Sequence, residues 1–510
     1  MNTVTGRHLD FYYRDVLGLS ERGGSPDVAH LSFELAPNVS GFMLPAGTRL
    51  AAGKGPDGAA RDFATNEDLF INRARIVSKK ALYLARDPIA AKAAVHWEGE
   101  LSATQKLVAD RVVSALALPA CDSADGLGAP LLHPQTGWPT FGINEIAGEP
   151  AISPAMNAEL GFVAASSVLL LEEGERTVEI NIAFKGEGAL ESALQQYRDA
   201  ASLLLEVSPS TEWLLADAFR IAVSTAAGWM PIGNASFRRH PVVGTTLAIK
   251  FTLSPTDRAI VSNPALAPDQ AAWPMFKLTL NPLARIFPYS FFKQLSVASI
   301  ELRVSADGLT KMQIRNEVGL LSAAQPFAIF GPAPVQGSYL LMSHPELAAK
   351  NVQHAAIVVN WFNPLPPPAD LASYYAGYKL GIDDQTFKIR TSICGNPGEW
   401  IAPADGAEPT PMFSRDYDRG GVSASTTLAL TMPKLPAPVG PSLAPPPLTE
   451  AQAPRSSIRI ELVEPVFGFG QTVFPAIMAD AAAANARAGK RGPIAAIPNP
   501  PLIPVAKSVT

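Results

Sequence analysis

One order of segments occurs twice in this chain of 510 residues, and it limits the fold more than any short motif does. Phe219–Ile232 reads FRIAVSTAAGWMPI, and Phe387–Ile401 reads FKIRTSICGNPGEWI. A strand-like and a helix-like segment precede each: Thr177–Phe184 with Ala189–Glu206, and Ala355–Phe362 with Leu371–Tyr378. An alternating strand follows each, Thr246–Leu253 and Thr426–Thr431, and each series closes on a similar one, Ser299–Val304 (SIELRV) and Ser457–Val463 (SIRIELV). Apolar residues at every second position belong to strands with one buried face. The repeat therefore predicts two related β-rich domains; coincidental likeness between amphipathic strands is the alternative.

Around this pair the chain reads as a series of smaller units. Leu9–Leu17 is helical in pattern, with Leu9, Tyr12, Tyr13, Val16 and Leu17 on one side and Gly18 as the stop. His30–Leu35 alternates like a strand, and Asp57-Gly58 marks a turn between Lys54 and Ala60. Leu69–Ile71 and Ile76–Val77 continue that sheet. Thr104–Leu118 reads as a helix, and the Gly/Pro-rich run Pro119–Pro154 is long enough to mark a domain boundary. Val168–Leu171 and Thr177–Phe184 read as a hairpin whose tip carries Glu172, Glu173 and Glu175. Ala189–Glu206 is the clearest helix, with Leu190, Leu194, Tyr197, Ala201 and Leu204 on one face. Phe330–Gly337 is a turn-rich bridge. Met432–Pro454 is proline-rich and expected to be extended and mobile, and Ala476–Arg487 is an Ala-rich helix. The last residues, with Arg487, Lys490, Arg491 and Lys507 and no acid after Asp480, read as a solvated basic end.

The fold expected is α+β and mostly β: several domains, two of them related and sandwich-like, joined by proline-rich linkers with a few amphipathic helices. The boundaries expected are 1–100 for a helix and small β domain, 101–154 for a helix and linker, and 155–310 for the first β-rich domain. A bridge over 311–339, a second β-rich domain over 340–465 with its Pro-rich loop 432–454, and a helix and extended tail over 466–510 complete the set.

Chemistry is hard to find in these residues. A phosphate loop needs Gly-x4-Gly-Lys-Ser/Thr, but Gly47–Gly55 (GTRLAAGKG) has five residues between its glycines and Gly55 where the hydroxyl should be. The seven histidines stand apart, and the two cysteines, Cys121 and Cys394, have no ligand spacing, so no metal site is expected. Two cysteines also exclude a disulfide scaffold. No Gly-x-Ser-x-Gly elbow occurs. Glu172, Glu173 and Glu175 surround Gly174 as solvated turn residues rather than an acid–base pair across a cleft. A net charge of −5 gives no footprint for nucleic acid. No apolar run is long enough to span a bilayer, and the N-terminus lacks the apolar stretch of a signal peptide. No catalysis and no cofactor are expected. The candidates left are aromatic. Phe11, Tyr12, Tyr13, Tyr374, Tyr375 and Tyr378 are helix-borne and suited to an interface, with core packing the alternative. Trp229 and Trp400 sit at matching places in the repeat; a Trp at the end of a core strand is usually packing, and under the alternative function they would be the stacking platforms of a β-sandwich that binds glycans or surfaces.

A resemblance runs through most of the chain. Arg7–Gly53, with its aromatic helix, Gly/Pro break and Leu-Pro-Ala-Gly-Thr turn, resembles the junction that opens the shared region of large baseplate wedge (J-like) proteins of phage-tail-like contractile injection systems. Phe63–Asn72 (FATNEDLFIN), Ala158–Arg176 (AELGFVAASSVLLLEEGER), Gln325–Ser338 (QPFAIFGPAPVQGS) and Glu464–Gly470 with Asn485–Pro504 are similar to later stretches of that family, in order. The resemblance implies a structural role: a ring of wedges around a central hub and spike, anchoring the sheath. Its implied partners are a second wedge protein, the hub and spike, and sheath-adaptor proteins. Its implied location is the cytoplasm, within a particle that can be released from the cell. Family members are longer, so this chain is expected to lack an N-terminal helical part and a C-terminal part.

Overall fold

The computed structural model describes residues 2–19, 26–73, 76, 78–86, 101–119, 121, 126–129, 156–240, 244–266, 273–362, 370–406, 408–415, 421–435, 448–488 and 496–510. The fold is α+β and mostly β, with many short sheets and few helices. The chain divides into two compact units, Met1–Ala81 with Leu118–Pro154, and Leu82–Ala117 with Ala155–Thr510.

The first unit opens with a helix, Asn2–Asp10, that widens into a π-helical turn, Phe11–Val16, where Leu17 N donates to Tyr12 O five residues back. Two antiparallel ribbons follow. Strand β1 (Gly41–Leu44) pairs with β4 (Leu69–Asn72), and β2 (Arg49–Lys54) pairs with β3 (Ala60–Ala64) across the Asp57-Gly58 turn. Polar contacts hold this unit. Thr48 and Thr65 both donate their hydroxyls to Pro45 O, Asp68 accepts from Ala46 N at 2.8 Å, and Arg73 reaches the carbonyls of Ala36, Pro37 and Val39. His30–Leu35 forms no strand: it has no regular element and pairs with no strand among the described residues. Alternation is a side-chain pattern, and a strand also needs a neighbour's hydrogen bonds.

In the second unit, β5 (Lys80–Arg86), β6 (Val112–Pro119) and β7 (Met156–Asn157) make a small sheet. The helix expected over Thr104–Leu118 is Ala103–Ala109 alone. Ser102 and Gln105 form a reciprocal capping box at its start, and the rest belongs to β6, whose Val112 and Ala115 are buried. Two lobes follow.

In the first lobe β8 (Gly161–Ala165), β9 (Glu175–Phe184), β10 (Phe219–Thr225), β11 (Gly228–Pro231), β12 (Ser236–Arg239), β13 (Thr246–Leu253), β14 (Met275–Leu280) and β15 (Val297–Asp307) form two sheets, ordered β11-β10-β14-β8 and β12-β13-β9-β15. Val178, Ile180 and Ile182 of β9 face Ile221, Val223, Ile249 and Phe276 in one core. The helix Ala189–Leu205 adds Leu190, Leu194 and Tyr197, whose hydroxyl donates to Ile286 O at 2.9 Å. No hairpin joins Val168–Leu171 to β9. Ser167–Leu169 is a 3-10 turn, and Leu171 bridges to Ile260 instead.

The second lobe contains β16 (Gln313–Asn316), β17 (Leu320–Leu321), β18 (Phe327–Ala328), β19 (Tyr339–Ser343), β20 (His354–Trp361), β21 (Lys388–Cys394), β22 (Trp400–Ile401), β23 (Thr410–Pro411), β24 (Ser425–Thr431), β25 (Ile458–Glu464) and β26 (Val505–Val509). The sheet orders are β17-β16-β19-β25-β21-β22, with β23 also on β21, and β18-β26-β20-β24.

One topology thus occurs in both lobes. The order β11-β10-β14-β8 recurs as β22-β21-β25-β19, and β13-β9-β15 recurs as β24-β20-β26. The closing strands are where the repeat read from the sequence departs from the fold. Val297–Asp307 pairs with β9, whereas Ile458–Glu464 pairs with β21 and β19. The topological counterpart of β25 is β14, and that of β15 is β26. Similar alternation cannot say which neighbour a strand will choose. The residues expected as a bridge supply β16, β17 and β18, and those expected as a solvated end supply β26, with Ala506 and Val509 buried.

Candidate functional site

The first unit is short of a core. Among its described residues from Asn2 to Arg73, Leu44 alone is buried, at 9 % exposure. By contrast Val4, Leu9, Phe11, Tyr12, Tyr13, Val16, Leu17, Phe42, Met43 and Phe70 are all large, apolar and exposed. Phe11, Tyr12 and Tyr13 keep 57, 52 and 49 % of their surface in solvent, and Tyr12 and Tyr13 meet edge to face at 5.8 Å. The aromatic helix that the sequence offered as an interface is therefore available for one.

The second tyrosine set lies elsewhere. Tyr375 and Tyr378 are buried and Tyr374 is half-buried; Tyr374 ends the helical turn Leu371–Tyr374, Tyr378 ends Ala376–Tyr378, and Tyr375 caps both between them. Tyr374 donates to Pro500 O at 2.9 Å and Tyr378 to Asn499 O at 2.8 Å. Tyr375 donates to Phe469 O and accepts from Leu502 N, both at 3.0 Å. Burial pushes the phenols of Tyr375 and Tyr378 up, that of Tyr378 to about 12, with the neighbouring Tyr374 adding to it. These three rings are used inside the chain, clamping the segment that leads into β26. A helical pattern of three tyrosines has no sign of this, because the segment they hold lies over 120 residues downstream.

The two tryptophans do occupy matching hairpins: Ser224 faces Trp229 and Cys394 faces Trp400. Both indoles are half-buried. Lys277 Nζ lies 5.1 Å from the Trp229 ring centroid, and Trp400 Nε1 donates to Glu450 O at 3.1 Å. A ring covered by a lysine offers one face fewer for stacking a sugar.

The glutamates at the supposed hairpin tip differ from one another. Glu175 is exposed as expected, but Glu172 and Glu173 are half-buried. The Glu173 carboxylate accepts from Thr310 N (3.0 Å), Thr310 Oγ1 (2.9 Å), Lys311 N (2.7 Å) and His344 Nε2 (3.2 Å). Burial pushes its pKa up, but the bonds from Lys311, Thr310 and His344 outweigh that and leave it below the usual value. The two acids were expected in solvent because nothing near them in sequence reveals Thr310 or His344.

Among the described residues no three His, Cys, Asp or Glu side chains gather as metal ligands would. One cleft of about 440 Å³ is lined by residues including His354, Thr431, Lys434 and Arg455, and no carboxylate is among them. Arg455 there donates to Lys350 O and to Asn351 Oδ1. No described helix is long and apolar enough to cross a membrane.

Residues 1–103 match the family described as Baseplate protein PVC11-like, a baseplate family of phage-tail-like contractile injection systems. No curated protein matches the chain. The matched span contains the aromatic helix and both ribbons of the first unit, where Leu44 is the one buried residue described between Asn2 and Arg73.

Proposed function

We propose, from the premise that this chain is a baseplate protein with a structural role in a contractile, phage-tail-like particle, that it is a wedge component of the ring. In this role it binds a second wedge protein, contacts the hub and spike, and couples the ring to sheath-adaptor proteins. The observation that carries the reading is the coincidence of two things in one stretch. The residues that match the baseplate family are those that fold into ribbons with an exposed apolar surface and almost no core.

The exposed rings can contribute to an assembly interface. A Phe or Tyr side chain offers roughly 200 Å², so three rings at about half exposure leave roughly 300 Å² in water. At about 25 cal/mol per Å², covering them contributes at most ~7 kcal/mol before any other residue is counted. That area lies within the roughly 300–600 Å² of the largest apolar patch on a typical monomer, which is often functional, so the rings suit one part of a larger interface; standing complexes typically bury more than about 2,000 Å².

The test is recovery of the tagged chain from the cells that make it, followed by negative-stain microscopy. Sheathed particles labelled at the baseplate are the expected result. Particles that form without the chain, or a chain recovered only as a free monomer, would refute the proposal.

A further inference from the structure

We propose that the seam between the two lobes of the second unit is a polar latch that can open, with each lobe intact on either side of it. The inference does not depend on the wedge reading.

The cores come first. The apolar cluster of the first lobe and that of the second share no side chain. Water exclusion therefore stabilises each lobe separately and does little across the seam. The covalent link is one short crossing, from Asp307 at the end of β15 to Gln313 at the start of β16. Gly308 in that link has φ +79°, and a Cβ built on it would meet nothing within 4 Å, so the backbone turns in open space. Domains joined by one crossing and a small polar interface move relative to each other by default.

What closes the seam is a reciprocal exchange of carboxylates. Glu173, on the loop before β9, reaches out to the link at Thr310 and Lys311 and to His344 of the second lobe. Glu346, in the short helix Pro345–Ala349 of the second lobe, reaches back. Its Oε1 accepts from Glu172 N at 2.7 Å, and its Oε2 pairs with Lys350 Nζ at 2.7 Å. His344 Nδ1 accepts from Glu346 N at 3.2 Å, so the ring proton sits on Nε2, toward Glu173. The loop comes close to the link: a Cβ on Gly174 would lie 2.1 Å from Asp307 O.

Bonds of this kind are directional and short in range. A displacement of about an ångström or two breaks them together, and water can replace each partner. A seam made this way has a closed state of defined orientation and an open state that leaves no apolar surface bare. An apolar seam would have neither property.

Trypsin cleavage after Lys311, an exposed residue in the link, reports the opening. In the full chain, Glu173→Ala is expected to raise the rate of appearance of the 1–311 and 312–510 fragments at least about tenfold. Hydrogen exchange in β9, β13, β20 and β24 is expected to stay unchanged. Glu173→Gln, which keeps the shape and loses the charge, gives an intermediate rate, and Glu175→Ala, at the exposed first position of β9 and outside the seam, gives the wild-type rate. Cleavage of Glu173→Ala and Glu173→Gln within about twofold of wild type would overturn the latch. Loss of exchange protection in either lobe of both variants would overturn it too, since the seam would then be part of a lobe's own fold.

Discussion

Replacing Tyr375 by Phe removes one oxygen atom and leaves the packing of the ring in place. That oxygen donates to Phe469 O and accepts from Leu502 N, each at 3.0 Å, beneath a surface that leaves the residue 2 % exposed. The substitution leaves a buried carbonyl and a partly buried amide without that partner. An unmet buried group costs about 1–3 kcal/mol, so the pair is expected to cost about 2–4 kcal/mol. The loss falls on the segment that delivers β26, since Leu502 lies three residues before Val505. If β26 amides exchange by detachment of this segment, 2–4 kcal/mol accelerates them roughly 30-fold to nearly a thousandfold. Exchange mass spectrometry on peptides covering 503–510 measures this, with peptides of β13 in the other lobe as the internal reference. Tyr374→Phe is the control. It loses one bond to Pro500 O at a half-buried site where water can substitute, costing under about 1 kcal/mol and less than about fivefold in rate. Acceleration below about threefold in Tyr375→Phe, or equal acceleration in β13, would refute the view that this hydroxyl holds the segment down.

Two further outcomes follow from the same structure. The folded chain holds the phenolic protons of Tyr375 and Tyr378 more tightly than the unfolded chain, whose tyrosines titrate near pH 10. Their contribution to stability is therefore intact below about pH 10 and is lost as pH rises toward about 12; absorbance of the phenolates should rise together with unfolding of the second lobe, and a folded protein whose Tyr378 titrates at an ordinary value would contradict this. The triple change of Phe11, Tyr12 and Tyr13 to Ser should leave the melting temperature within about 2 °C, because surface substitutions usually change stability by less than about 0.5 kcal/mol. The same variant should be missing from purified particles, and incorporation at the wild-type level would remove these rings from the interface.

Local patterns carried much of the fold. Val178, Ile180 and Ile182 alternate and are buried, and Leu190, Leu194 and Tyr197 recur at helical spacing and pack on the same core. The Gly-Trp hairpins could be matched between the lobes because a turn and an aromatic residue lie within a few residues of each other. Whatever depended on a distant partner was hidden. Val112–Leu118 reads as the end of a helix because its own residues suit one, while its pairing with β7 lies some 40 residues away. Glu173 reads as a solvated turn residue, and the sequence leaves Tyr375 open between an interface and the core, because His344 and Leu502 are 171 and 127 positions from them. Phe11, Tyr12 and Tyr13 stay exposed on the turn that follows Asn2–Asp10, where their apolar pattern has no nearby complement.

The position of β26 also sets an order of events during synthesis. Every strand of the first lobe has been made by Asp307, so that lobe can close while the chain is still growing. The second cannot. Among the described residues strand β18, at Phe327–Ala328, pairs in its sheet only with β26, which emerges nearly 180 residues later. Until then the flank of β20 that β26 will occupy stands open, and the nascent chain carries a half-built sheet that a chaperone would have to shield.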